Sequence, residues 1–252
     1  MLDVILKENL VEKRPEYAFA LGILFSTIGM AMSVLIFKNS PSFPAVFLTT
    51  LAAAPVAMRI IKKKEKSKDL YERYKSVITV YAYLFFGMAV SFAIWFSILP
   101  ASFTSILFKE QLLKFTVGYF TFQRAELFAI VLNNIGLMFF FFLMSLFYGA
   151  GSMFLLAWNA SILGTMWGNT IKGALSVIST GEAVVNTLLA FPYLFPEVAA
   201  YFFAAIAGGI LSLNINKKQK FDKVFGESIL LLLTSAGLII VSGIIETIIL
   251  GI

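Results

Sequence analysis

The chain has neither a cysteine nor a histidine among its 252 residues. The first absence excludes a disulfide framework, a thiol nucleophile and a thiolate metal site. The second removes the side chain most often used as general base or metal ligand near neutral pH. A Ser–His intramembrane protease is therefore excluded, and GAGS at 149–152 reads as a glycine turn, not a nucleophile motif. A zinc protease lacks its ligands for the same reason. Charge is also scarce, at 13% of residues, against about 25% in a soluble domain. No enzymatic activity, cofactor or metal is expected of this composition.

Apolar residues make up 60% of the chain, and mean hydropathy is +0.89. They are gathered into stretches at 17–37, 44–61, 77–99, 127–148, 152–171, 195–213 and 228–250. Each is long enough for a helix to cross about 30 Å of hydrocarbon. None alternates with period two, which excludes a membrane β-barrel. The expected fold is an all-α, polytopic transmembrane bundle of about seven membrane helices, within a range of six to eight. No cleavable leader is expected, because Asp3, Lys7, Glu8, Glu12, Lys13, Arg14 and Glu16 crowd the first sixteen residues. No lysine lies in 228–250, so the retinal-type Schiff base of some seven-helix proteins is excluded.

The net charge is +6, and its placement explains it. Lys7, Lys13 and Arg14 precede the first stretch. Arg59, Lys62, Lys63, Lys64, Lys66, Lys68, Arg73 and Lys75 follow the second, and Lys217, Lys218, Lys220 and Lys223 precede the last. With seven crossings these segments share one side, leaving Lys38, Lys109, Lys114, Arg124 and Lys172 on the other. The positive-inside bias then puts the N-terminus in the cytoplasm and the C-terminus outside, in the plasma membrane. No nucleic-acid partner is needed to account for the basic loops.

Three segments follow. Residues 1–76 hold the N-terminus, two membrane helices and the basic loop. Residues 77–126 hold the third helix and an outer segment. Residues 127–252 form a core of four membrane helices. In the outer segment Phe103, Ile106, Leu107 and Leu113 are spaced for a short interfacial helix. Residues 181–196 are apolar but contain Pro192 and Pro196, so a broken, re-entrant or interfacial stretch is expected there. Gly149 and Gly151 predict a tight turn between antiparallel helices. Ala160, Gly164 and Gly168, then Ala200, Ala204 and Gly208, recur at four-residue intervals and suit close helix packing.

Few polar side chains interrupt the spans. Asn133 and Asn134 head the fourth, Asn159 and Asn169 lie in the fifth, Glu197 opens the sixth, and Glu246 is near the end of the seventh. At 1.5 Å per residue, Asn133 and Asn134 lie about 10 Å inside the span. The carboxylates and all but mid-span Asn159 map to the outer half, which predicts one polar cluster among the last four spans. Such amides serve as glue between helices or as a ligand or ion site. Glu197, one residue after Pro196, also suits stabilisation by a helix N-terminus.

Several of these residues also carry a family resemblance. Asn133 and Asn134, FYGAGSMFLLAWNASILGTMWGN at 147–169, PEVAAYFFAAIAGG at 196–209 and IIETII at 244–249 resemble the stage II sporulation protein M family in its archaeal form. RPEYAFALGILFSTIGMAMSVLIF at 14–37 and LTTLAAAPVAMRIIKKKE at 48–65 extend the likeness over most of the chain. Family members commonly carry a His-Gly pair just before the Pro-Glu of the sixth span. Here Tyr193 and Leu194 stand there, and a tyrosine donates a hydrogen bond without switching charge near neutral pH. The resemblance implies a membrane scaffold or anchor, like the bacterial namesake that holds peptidoglycan-degrading partners at the engulfing septum. The alternative is a small-solute or ion transporter or channel using the polar cluster. Expected partners are the lipid bilayer, a second copy in a homodimer or other homo-oligomer, and an envelope or membrane protein.

Overall fold

The computed structural model describes residues 14–64, 70–113, 127–148, 152–175, 180–215 and 218–250. Among them no strand occurs. The helices are α1 (Glu16–Ile36), α2 (Ser42–Lys64), α3 (Leu70–Ile98), α4 (Ala101–Leu107), α5 (Leu127–Tyr148), α6 (Ser152–Leu175), α7 (Thr180–Asn214) and α8 (Lys218–Leu250). Residues 109–113 add a short helical stretch after a break at Phe108. Gly149, Gly151, the 65–69 part of the basic loop and the 114–126 part of the outer segment lie outside the described residues.

Six of these helices are long and apolar enough to cross a membrane, over Glu16–Ile36, Ser42–Ile61, Lys75–Ile98, Leu127–Phe147, Pro192–Asn214 and Phe221–Ile249. The chain is an all-α polytopic membrane bundle. The seventh expected span, 152–171, is helical within α6, whose length of 24 residues is about 36 Å. Trp158, Asn159, Ser161, Thr165, Trp167 and Asn169 leave it without a stretch as apolar as those six. Those residues are tolerable because the helix buries Met153, Leu156, Ala157, Ala160, Ser161 and Thr165 against protein.

One expectation is overturned. Pro192 and Pro196 do not break the segment that begins at 181: both lie inside the continuous 35-residue helix α7. A proline removes one backbone donor, and in membrane helices hydroxyls from neighbours can relieve the disturbed carbonyls. Here the Ser242 hydroxyl donates to the Tyr193 carbonyl, between the two prolines, at 2.7 Å. The short helix expected after Pro100 does form as α4. It buries Thr104 and Leu107 and leaves Phe103 and Ile106 exposed.

The helices group into two compact units rather than into successive segments of chain. The first unit contains α1, α4, α6 and the adjoining parts of α2 and α3. Its joints are close and partly polar. The Trp95 indole and the Ser91 hydroxyl of α3 bond Thr27 of α1 at 3.2 and 3.1 Å. Gln111 accepts from Ser42 of α2 at 2.8 Å and donates to Ser161 of α6 at 3.1 Å. Lys172 of α6 donates to the Leu99 carbonyl at 2.6 Å, just past the end of α3, and lies 5.5 Å above the Phe96 ring. Gly164 and Gly168 let α6 sit directly on Ala89, Phe92, Ala93 and Phe96 of α3.

The second unit contains α5, α8 and α7 from residue 189 onward. Three buried serines of α8, seven residues apart, each donate to a carbonyl of α7. Ser228 reaches Ala207 at 3.1 Å, Ser235 reaches Ala200 at 2.6 Å, and Ser242 reaches Tyr193 at 2.7 Å. The acceptors recede by seven as the donors advance, so the helices run antiparallel in a heptad register. On the other side Gly208 admits the α5 backbone at Phe142, and Gly243 admits Val131 and Leu127. α5 is the least covered span, with 22% of it buried. Phe139, Phe140 and Phe147 point outward, while Phe141 is 1% exposed.

Gly164→Ala would place a Cβ 2.5 Å from the Ala89 carbonyl and 2.6 Å from the Phe92 Cβ, forcing α6 away from α3. Thermal unfolding in detergent is expected to show a loss of about 1–3 kcal/mol. Gly136→Ala, where nothing lies within 4 Å, is expected to leave the midpoint unchanged or slightly raised.

Candidate functional site

Helical geometry puts residues four apart on one face, and on α7 that face reads Tyr193, Glu197, Tyr201. The Tyr201 hydroxyl donates to Glu197 Oε1 at 2.7 Å. It is also 3.3 Å from Asn134 Oδ1 of α5, and Asn133 Nδ2 donates to that same oxygen at 3.2 Å. A phenol has one proton, which the carboxylate takes at the shorter distance. The longer contact with Asn134 Oδ1, which also accepts from Asn133, is the weaker of the two. Phe141 stacks on the Tyr201 ring with centroids 4.7 Å apart and planes 7° apart, fixing the ring in place. The result is a polar relay from α5 to α7.

The second acid comes from α8. Glu246 is 4% exposed and interacts electrostatically with Glu197, Tyr193 and Tyr201. Its position follows from the serine register. Ser242 faces Tyr193, and Glu246 and Glu197 each lie one turn beyond that level, in opposite directions. Their backbones are therefore about 12 Å apart along the helix axes. Both side chains tilt toward their own helix N-terminus, and so toward each other. The two acids and the two asparagines lie near one end of the spans, about 5–10 Å inside the residues that bound them.

The sequence-predicted residues divide accordingly. Asn134, Glu197 and Glu246 belong to one constellation with Tyr193 and Tyr201, and exposed Asn133 joins it through Asn134. Asn159 and Asn169 lie on α6, in the first unit. Asn159 donates to the Leu155 carbonyl of its own helix at 2.8 Å, and Asn169 is exposed. Glu197 is not at a helix N-terminus as expected. Because α7 is continuous through both prolines, Glu197 lies 17 residues past its start, where no free N–H groups stabilise a carboxylate. Ala200, Ala204 and Gly208 lie on the neighbouring face of α7, and all are buried.

Tyr201 was missed from sequence, although its place four residues after Glu197 could have signalled the pair. Ser228, Ser235 and Ser242 were missed as well; their seven-residue interval was the available sign. Gln111 is 1% exposed and bonds both α2 and α6, yet it sits among charged residues that suggested a surface helix. Among the described residues, no group of three or more acidic, histidine or cysteine side chains could hold a metal.

A family model described as Stage II sporulation protein M matches residues 82–249. The match covers every residue of the constellation. No curated protein and no solved structure matches the chain.

Tyr201→Phe would remove the hydroxyl that bonds Glu197 and meets Asn134, leaving a polar group inside the span without its donor. The expected loss is about 1–2 kcal/mol, read as a lower thermal midpoint in detergent. Tyr83→Phe, on an exposed position of α3, is expected to leave it unchanged.

Proposed function

The chain belongs to the stage II sporulation protein M family, and from that membership we propose that it is a multi-pass scaffold of the plasma membrane. In this reading it recruits envelope or membrane-remodelling partners and performs no chemistry of its own. One observation carries the reading: polar side chains at the helix contacts of the first unit tie those helices to one another. Ser42, Gln111 and Ser161 bind three segments together, and Thr27, Ser91 and Trp95 bind two. Such an arrangement favours a stiff framework over a solute path. The topology that suits it counts α6 as a seventh crossing, with the N-terminus and basic loops cytoplasmic and the C-terminus outside. Homodimers or other homo-oligomers fit the outward-facing Phe139, Phe140 and Phe147 of α5.

A second reading has its own support. Glu197 and Glu246 lie inside membrane spans, where ionisable groups commonly mark solute or ion paths. The second reading is transport or conduction of a small solute or ion through the second unit.

Crosslinking in native membranes separates the two. The scaffold reading expects a reproducible envelope or membrane partner beside the protein itself; recovery of the protein alone would count against it. Single cysteines introduced at 133, 134 and 197 meet no background, since the chain has none. Labelling of these positions by a membrane-impermeant thiol reagent from outside is the result that transport requires. Cysteines at 38 and 64 are expected to label from outside and inside, respectively, if the proposed topology holds.

A further inference from the structure

We propose that the Glu197–Glu246 constellation binds one hydrated, hard divalent cation of the Mg²⁺ class. Two carboxylates from different helices lean toward the level of Tyr193, Glu246 buried and Glu197 part-buried, where unbalanced charge is costly. Among the described residues of the surrounding spans nothing balances them; Lys114 and Arg124 lie outside the described residues. Residues 127–147 and 192–214 contain no lysine or arginine, and 221–249 contain only Lys223, about 34 Å from Glu246 along the helix. No basic side chain among the described residues acts on either acid.

A second observation points to a ligand. Glu246 is 4% exposed, lies within electrostatic reach of Glu197, and takes part in no hydrogen bond among the described residues. Glu197 accepts from Tyr201 at one oxygen, Oε1, leaving Oε2 without a described donor. A hydrated cation would supply both missing components, positive charge and water O–H donors. The available atoms are all hard oxygens: four from the carboxylates, one amide oxygen at Asn134 and the phenol oxygens of Tyr193 and Tyr201. Nitrogen and sulfur ligands are absent, which disfavours zinc and copper. Mg²⁺ keeps several waters and needs only one or two carboxylates. That habit suits acids whose backbones are about 12 Å apart along the axes better than direct chelation would. The site goes beyond the scaffold reading and requires no transport; an ion here would staple α7 to α8.

The test uses the full chain in detergent, stripped with a chelator and held near neutral pH. Mn²⁺ serves as the probe, since its free six-line spin-resonance signal disappears on binding. Saturable binding of one Mn²⁺ per chain, displaced by Mg²⁺ and unaffected by the same ionic strength of Na⁺, is expected. Glu246→Gln and Glu197→Gln are each expected to weaken it at least about tenfold. Asn169→Ala, on exposed α6 surface, should bind as the parent does. Saturating Mg²⁺ should raise the thermal midpoint of the parent by about 5 °C and that of Glu246→Gln by much less. No saturable Mn²⁺ binding by the parent, or binding that survives both glutamine variants, overturns the proposal and leaves protons as the neutralising charge. Should a variant fail to fold, the parent's stoichiometry and Mg²⁺ competition still decide.

Discussion

A hydroxyl inside hydrocarbon has no water to bond, so it must find an acceptor in protein. α8 meets that demand three times, at Ser228, Ser235 and Ser242, each donating to an α7 carbonyl. The spacing of seven locks the two helices into one antiparallel register. From that register follow the level of Glu246, the support given to the backbone between Pro192 and Pro196, and the meeting of two acids about one turn either side of Tyr193. Other hydroxyls and amides solve the same problem within their own helices. Ser26, Thr49, Thr50, Thr165 and Asn214 return their protons to carbonyls four residues back. Side chains that bond locally cost little; those that bond across helices set the architecture.

Small residues act together with these bonds. A carbonyl can be reached by a short serine only where two backbones approach closely, and approach is limited by Cβ atoms. On α7, Gly208 clears the way for the α5 backbone. On α6, Gly164 and Gly168 do so against α3. Larger apolar groups then fill the flanks, with Phe92 and Phe96 edge-on to Phe108. Packing, which lipid tails do not drive as water would, thus depends on fit.

Length and apolarity made the membrane helices readable, because a bilayer imposes a minimum span and few residues satisfy it. Asn134, Glu197 and Glu246 were legible as a group for a related reason: polar atoms in apolar runs are costly enough to need company. Legibility failed where a residue's role depends on its partner. Pro192 and Pro196 read as breaks, since a sequence does not display the Ser242 hydroxyl, 46 residues beyond Pro196, that supports the turn between them. Gln111 read as surface for want of any sign that Ser42 and Ser161 flank it. Tyr201, set within an apolar run, carries its polar atom at the tip of a large ring and passes as core. α6 reads as a span by length, although its tryptophans and amides leave it less apolar than the other spans.

Gln111 has one more mechanical implication. Its amide grips Ser42 with one atom and Ser161 with the other, and the backbone N–H of Glu110 also bonds Ser42 at 3.2 Å. Such a joint behaves like a pin through three parts. Rotation about the pin preserves the bonds, whereas sliding any part lengthwise shears at least one of them. A pull on the chain just beyond residue 113 would therefore be shared between the start of α2 and the middle of α6, rather than unwinding α4.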